Sequence, residues 1–296
     1  MATKLVPLAD VERLSARVVR ILGGNPGKRG AQQGTNTYLV GKGAERVLID
    51  TGEGKASWSE LLRKVLQGEQ ARVSQAILTH WHPDHVGGVA ELLRLCPGAL
   101  IYKNEPSGRE HPIDDGQRFC VDGATLRAVH APGHTTDHMA LVLEEEDAMF
   151  TGDNVLGHGT SVFEDLATYL TSLERMRHQF AGRAYPGHGA VIDDGPARIV
   201  EYIAHRAERE RQVLDLLGGA GAVASDEART EDKGEGDDRP LWGPRDLVKI
   251  IYKDVPQPLH LAAEHGLLQV LRKLQGEEKV TVVDGRWRIA GKKAVL

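Results

Sequence analysis

Two cysteines, Cys96 and Cys120, are all that the 296 residues contain. That is too few for the disulfide framework of a secreted scaffold, and neither stands in a metal-type spacing, so a reducing compartment is expected. Aromatic residues make up only 5% of the chain, and no apolar run reaches the ~18 residues that a membrane-spanning helix needs. Residues 1–22 lack the continuous apolar stretch of a secretion signal, and Asp10 and Glu12 argue against an acid-poor transit peptide. A cytoplasmic protein with no membrane partner is expected. What the chain has in excess is glycine, 34 residues, and histidine, 13 residues. Many tight loops follow from the first, and the histidines prove to be clustered.

The net charge is −5, with 41% hydrophobic and 27% charged residues, an ordinary composition for a chain that can build a sizeable core. The charge is segregated. Residues 218–240 hold seven acids, three bases and almost no large apolar residue. Such a segment cannot offset the entropy of ordering and reads as a flexible acidic linker. Residues 241–296 hold ten bases and six acids, a net +4, which leaves −5 on residues 1–217. The expected organisation is a main domain over 1–217, the linker over 218–240 and a small basic module over 241–296. A basic module suits an acidic partner, protein or nucleic acid.

Short β-branched or apolar runs at Val18–Leu22, Thr37–Val40 and Val47–Asp50, separated by glycine-rich turns, predict an antiparallel meander. A helix-period stretch over Ser57–Leu66, a strand over Ala76–Thr79 and a helix over Asp84–Leu95 follow. The second half repeats this order. Strands are expected at Ile101–Tyr102, Thr125–His130, Met139–Leu143 and Ala148–Phe150, then a helix over Phe163–Phe180, a strand ending at Tyr185 and a helix over Pro196–Leu217. The pattern is an α/β fold of two sheets between helices. In the tail, helices over Pro244–Tyr252, Leu259–Glu264 and Leu267–Leu274 precede a hairpin that turns at Asp284-Gly285, a winged-helix-like order.

The chemistry is concentrated in Thr79-His80-Trp81-His82-Pro83-Asp84-His85, directly after an apolar strand. Alternate residues of an extended segment point the same way, so His80 and His82 can share one ion, while Asp84 and His85 fall where the chain turns and can face a second. Neutral imidazoles and carboxylates are the ligands that Zn²⁺ takes. Pro132-Gly133-His134, Thr151-Gly152-Asp153 and Pro186-Gly187-His188 repeat one grammar, a strand end, a glycine and a ligand type. Crowding five imidazoles and two carboxylates has no cheap structural explanation without a cation, so a dinuclear metal site is expected. Asp50-Thr51-Gly52 and Thr79 are candidates to orient the imidazoles from behind. His138, His158 and Tyr185 adjoin ligand segments, and His158 and Tyr185 are carried as candidate substrate contacts.

The ordered set His80-x-His82-x-Asp84-His85, His134, Asp153 and His188 resembles the metallo-β-lactamase superfamily in its glyoxalase II-like branch. The resemblance implies an αββα sandwich with two zinc ions, one held by His80, His82 and His134, a second by Asp84, His85 and His188, and Asp153 bridging both. Authentic β-lactamases of this kind commonly carry a cysteine where Asp153 stands, which points away from antibiotic hydrolysis. Only 34 residues separate Asp153 from His188, so the long insert of the capped nuclease branch is absent. Gly34-Thr35-Asn36-Thr37-Tyr38-Leu39, Thr151 to Thr160, Val162 to Leu166 and the winged-helix-like end resemble the group that contains the β-lactamase-like protein two endoribonuclease and the fungal polyketide thioesterases acting on acyl carrier protein. Asn154, His158 and Gly182-Arg183-Ala184-Tyr185 resemble the fungal branch more. Lys28-Arg29-Gly30-Ala31-Gln32 departs from the more apolar stretch expected before Gly34.

Two close divalent ions would lower the pKa of a shared water and polarise the electrophile, and Asp84 is placed to take the water's proton. The same chemistry serves an acyl carbon or a phosphorus. Thioester hydrolysis on an acyl carrier protein, in polyketide biosynthesis, is the expectation. Cleavage of single-stranded RNA, with a mitochondrial location, is the alternative, and the acidic body speaks against it.

Overall fold

The protein is described here by a computed structural model covering residues 7–25, 34–219 and 239–291. The loop Lys28–Gln32 and most of the expected acidic linker 218–240 lie outside the described residues. The chain divides into two compact units, Met1–Tyr202 and Ile203–Leu296.

In the first unit, strands β1 (Val11–Arg13), β2 (Val18–Leu22), β3 (Asn36–Val40), β4 (Glu45–Ile49), β5 (Arg72–Leu78) and β6 (Leu100–Lys103) form one sheet in chain order. The pairing is antiparallel as far as β4, and β5 and β6 then add in parallel. A second sheet has the order β11-β10-β9-β8-β7, from β7 (Arg118–Val121), β8 (Ala124–His130), β9 (Met139–Leu143), β10 (Ala148–Gly152) and β11 (Ala184–Pro186). Only β10 and β11 are parallel there.

Because side chains alternate across a strand, each sheet has two faces to cover, and both are apolar here. Val18, Tyr38, Val40, Val47, Ile49 and Ile77 of the first sheet pack against Phe119, Leu126, Ala128, Leu141, Leu143 and Phe150 of the second. The opposite face of the first sheet, Val19, Ile21, Leu39, Leu48, Ala76 and Leu78, packs on Trp58, Leu62 and Leu66 of helix α1 (Ala56–Gly68) and Leu92 of α3 (Val89–Leu95). Val129, Ala140, Val142 and Met149 on the far side of the second sheet are buried as well. Helix α4 (Leu166–Met176), capped by Asp165 on the Thr168 N–H, buries Leu166, Tyr169, Leu173 and Met176. The architecture is the expected sandwich of two sheets between helices.

The segment expected to form one helix over Asp84–Leu95 is two, α2 (Pro83–Val86) and α3, broken at Gly87-Gly88. A Cβ on Gly88 would stand 2.1 Å from the Thr51 carbonyl oxygen, so close backbone approach fixes this glycine. The helix expected over Phe163–Phe180 is shorter at both ends. Long helix α5 (Gly195–Leu217) begins in the first unit and passes the division at Tyr202.

In the second unit, α6 (Pro244–Ile251) and α7 (His260–Gly276) precede the hairpin of β12 (Val280–Val283) and β13 (Arg286–Ile289). The two short helices expected over Leu259–Glu264 and Leu267–Leu274 are the single α7. Leu247, Val248, Leu267, Val270, Leu271, Leu274 and Trp287 form its buried centre, and Trp242 pairs with Trp287 through two backbone hydrogen bonds. The hairpin turns at Asp284 and Gly285, both at positive φ (48° and 74°), as a tight two-residue turn requires. No helix among the described residues is long and apolar enough to cross a membrane.

Candidate metal centre

Register brings the ligand segments together at one end of both sheets. Parallel β4 and β5 pair Ile49 with Ile77, which sets Asp50 beside Leu78-Thr79. Parallel β10 and β11 pair Gly152 with Pro186, which sets Asp153 beside Gly187-His188. The sheets are tied at this end by the Met139 N–H to the Thr79 carbonyl, 2.7 Å, and the Asn36 N–H to the Gly187 carbonyl, 2.7 Å. The result is two clusters, His80, His82, His134 and Asp153, and Asp84, His85 and His188, with the donor atoms of each within 4.8 Å of one another. All seven side chains singled out in the sequence converge. Asp153 stands between the clusters: its Oδ1 lies 3.5 Å from His85 Nε2, and its Oδ2 lies 3.4 Å from His188 Nε2 and 3.7 Å from His134 Nε2.

The hydrogen bonds behind the rings set the tautomers. His85 Nδ1 donates to Asp50 Oδ2 (2.8 Å), His134 Nδ1 to the Val162 carbonyl (2.8 Å) and His188 Nδ1 to the Gly34 carbonyl (3.0 Å). In the neutral ring each of these bonds leaves Nε2 bare. Asp50 also accepts from the Thr79 N–H (2.8 Å) and the Thr79 hydroxyl (2.9 Å). That hydroxyl, its proton committed to Asp50, is left to accept from His80 Nδ1 at 3.0 Å. His80 Nε2 then stands 2.9 Å, and His134 Nε2 3.2 Å, from His82 Nδ1. Three ring nitrogens with two protons elsewhere fit a shared cation better than one another. Buried His85 Nε2 and Asp153 Oδ1 have no hydrogen-bond partner among the described residues, which is a second mark of fit.

Electrostatics divide the rings in two. Burial pushes His80 well below the ordinary imidazole value and takes His82 down to about 4. Burial opposes charge on His85 and His188 too, but Asp50 and Asp153 raise His85 well above the usual range, and Asp153 and Asp84 lift His188 to about 10. Burial alone would raise the two carboxylates; His188 and His85 outweigh it and hold Asp84 and Asp153 low. Asp84 is the more open of the two, with 30% of its side chain exposed against 11% for Asp153. Its Oδ2 accepts from the Thr35 hydroxyl at 2.9 Å, a contact with no signal in the sequence.

His138 is buried behind the site, where its Nε2 accepts the Asp153 N–H at 3.1 Å. His158 lies beside the His188 loop, where a Cβ on Gly189 would meet its Nδ1 at 2.9 Å, and the Gly157 N–H bonds the His188 carbonyl. The structure does not bring Tyr185 to the ligands. Its ring is buried between the sheets, stacked on Phe150, and its hydroxyl donates to Glu146 at 2.8 Å. The acceptors Val162 and Gly34 act through main-chain carbonyls, which no side-chain pattern announces.

The profile described as metallo-beta-lactamase superfamily matches residues 31–188, and that described as beta-lactamase associated winged helix domain matches residues 244–287. The chain is 46% identical to the atrochrysone carboxyl ACP thioesterase of Cryptosporiopsis sp. (strain 8999), over 93% of this chain and 85% of that one. It is 53% identical to the atrochrysone carboxyl ACP thioesterase of Paecilomyces divaricatus, over 72% of this chain and 68% of that one. Among solved structures, a beta-lactamase domain protein from Burkholderia ambifaria superposes with a TM-score of 0.77 at 17% identity, covering 97% of this chain and 96% of that one. A metallo-beta-lactamase family protein from Thermus thermophilus gives 0.71 at 23% identity, covering 94% and 100%. These two speak to the fold alone.

Proposed function

The chain belongs to the metallo-beta-lactamase superfamily, and from that premise we propose that it is a metal-dependent thioesterase that releases an acyl or polyketide chain from an acyl carrier protein. The observation that carries the reading is the pair of His/Asp clusters sharing Asp153, in a chain whose relatives at 46% and 53% identity bear thioesterase names. The proposed ions are two zinc ions: His80, His82 and His134 would hold one and Asp84, His85 and His188 the other, with Asp153 placed to serve either. When bound, such ions act as Lewis acids toward a carbonyl oxygen and make a water acidic enough to ionise near neutral pH.

The chain's own residues do the rest. Asp50, Thr79, Val162 and Gly34 hold the imidazoles in the tautomers that present their lone pairs inward. Asp84 is proposed as the base: it is the more exposed ligand carboxylate, and Thr35 steadies its Oδ2. Water loses a proton to Asp84 as its oxygen bonds to the thioester carbonyl carbon; the C–S bond then breaks, leaving the carboxylic acid, and the sulfur takes the proton back from Asp84 and leaves as a free thiol. His158, beside the His188 loop, is kept as a proposed substrate contact, whereas the bonding of Tyr185 to Glu146 removes the reason to keep it.

The test offers the metal-loaded protein an acyl-loaded carrier protein and a single-stranded RNA in parallel. Chelator-sensitive release of free thiol with intact RNA is expected. RNA cleavage without thiol release would replace this reading by the nuclease one. The net −5 on residues 1–217 favours the thioester, because a polyanion meets a like-charged body.

A further inference from the structure

The winged-helix unit carries a groove that the reaction does not use. Its lining is Arg245, Val248 and Lys249 of α6 with His260, Leu261 and Glu264 of α7, around a cavity of about 230 Å³. Leu261, which lines the groove, is 75% exposed. Single exposed apolar residues are ordinary, but one that lines a groove among charged side chains suits an interaction surface.

Arg245 and Lys249 are one helical turn apart and form a cationic rim. Arg245 Nε lies 3.4 Å from Glu264, which leaves the rest of its five-donor fork for an incoming acceptor. Lys249 is held only loosely, 3.8 Å from Asp246. His260 is a wall of the groove, its Nε2 hydrogen-bonded to the Val255 carbonyl at 2.9 Å. Two cations against the one carboxylate of Glu264 leave the lining net positive, with buried Val248 at its floor beside exposed Leu261. An acidic protein face that presents an apolar side chain fits both features. The rim takes its carboxylates and the floor takes its side chain.

Resting on the thioesterase reading above, we propose that this groove docks the carrier-protein half of the substrate, through an acidic, apolar-centred face of that partner. The residues carrying it are Arg245, Lys249 and Leu261. The consequence is a division of labour between recognising the carrier and cleaving the thioester.

The experiment compares two substrates of the intact, metal-loaded chain: a naphthoyl thioester on an acyl carrier domain, and the same acyl group on the small thiol N-acetylcysteamine. The double variant Arg245→Glu/Lys249→Glu and, separately, Leu261→Asp alter only exposed side chains. Each is expected to raise KM for the carrier-bound substrate roughly 10-fold or more, with kcat kept and the small thioester unaffected. The wild-type KM for the carrier-bound substrate is expected to rise with salt while that for the small thioester does not. Unchanged KM for the carrier-bound substrate in both variants overturns the docking proposal. So does binding of single-stranded RNA that the double variant abolishes. Failure of the wild type to cleave either thioester strikes the thioesterase reading instead, so the two failures are separable.

Discussion

Replacing Asp50 by asparagine is the sharpest probe of how the imidazoles are set. The carboxylate accepts three hydrogen bonds, from His85 Nδ1 and from the N–H and hydroxyl of Thr79, and is fully buried. An amide has the same shape but only one acceptor atom. If its oxygen keeps the Thr79 N–H, the NH₂ group faces the Thr79 hydroxyl and His85 Nδ1, both of which now donate toward a donor. The cheapest relief is for His85 to give up its Nδ1 proton and keep the one on Nε2, the atom that faces Asp84 at 3.7 Å and Asp153 at 3.5 Å. That ring then presents a proton where a lone pair is required. Loss of such an outer partner typically costs 10- to 100-fold in metal affinity, about 1.4 to 2.8 kcal/mol. The loss should fall mainly on the Asp84, His85 and His188 cluster, because His80 feels Asp50 only through Thr79. The assay is competition for zinc against a chelator of known affinity, with the two binding steps resolved. Wild-type affinity for both steps in Asp50→Asn would refute the tautomer argument, whatever the activity.

Three other outcomes follow from the structure. With no metal bound, His85 and His188 are held protonated at pH 7, because their folded values are raised, that of His188 to about 10. Zinc must displace those protons, so calorimetry in buffers of differing ionisation heat should record release of about two protons at pH 7, and affinity should climb with pH. The stability that these two rings lend the metal-free protein is full below about 6.5 and fades as pH rises through their folded values, whereas His82, lowered to about 4, costs stability as pH falls from about 6.5 toward 4. Absence of proton release would contradict the assignment. Gly88→Ala drives a Cβ to 2.1 Å from the Thr51 carbonyl oxygen and 2.7 Å from the Trp58 ring. It should lower the unfolding free energy in urea by about 1 to 3 kcal/mol, and weaken zinc binding because Thr51 N–H holds the His85 carbonyl. An unchanged urea midpoint would show that this packing is softer than the distances imply.

The candidate ligand set is legible in the sequence because metal chemistry demands particular side chains at strand ends, and a strand end followed by Gly and His, or Gly and Asp, leaves a local trace. The same local grammar misplaces Tyr185. It stands next to the ligand segment Pro186-Gly187-His188, but in β11 its ring is directed between the sheets and into the core. The two strands that the sequence does not announce have weak patterns for physical reasons. β1 is a three-residue edge strand whose residues are largely exposed, and β7 has only Phe119 fully buried. Glycines mislead in both directions. Gly87-Gly88 breaks a helical pattern because backbone must pass close by, which is a tertiary fact. Gly266 breaks nothing, although the sequence suggests two helices there: a Cβ on it would meet no atom within 4 Å. The roughly 1 kcal/mol that glycine costs a helix is outweighed by burial of Leu267, Val270, Leu271 and Leu274 on the same helix.

Protons and metal ions are alternative solutions to one electrostatic problem in this fold. Nδ1–H is committed to Asp50, to the Val162 carbonyl and to the Gly34 carbonyl on His85, His134 and His188. Their Nε2 lone pairs then face carboxylate oxygens of Asp84 and Asp153 across 3.3 to 3.7 Å, lone pair against anion, with little water to screen them. Such an arrangement is held only by positive charge between the partners. Protons supply it one ring at a time and turn a ligand into a donor. A divalent cation supplies it to several lone pairs at once and needs no tautomer change, since every outer hydrogen bond already points the rings the right way. The hydrogen bonds behind the rings are therefore what tilts the site from protons toward metal, and Asp50, which serves His85 directly and His80 through Thr79, is the residue on which that preference turns.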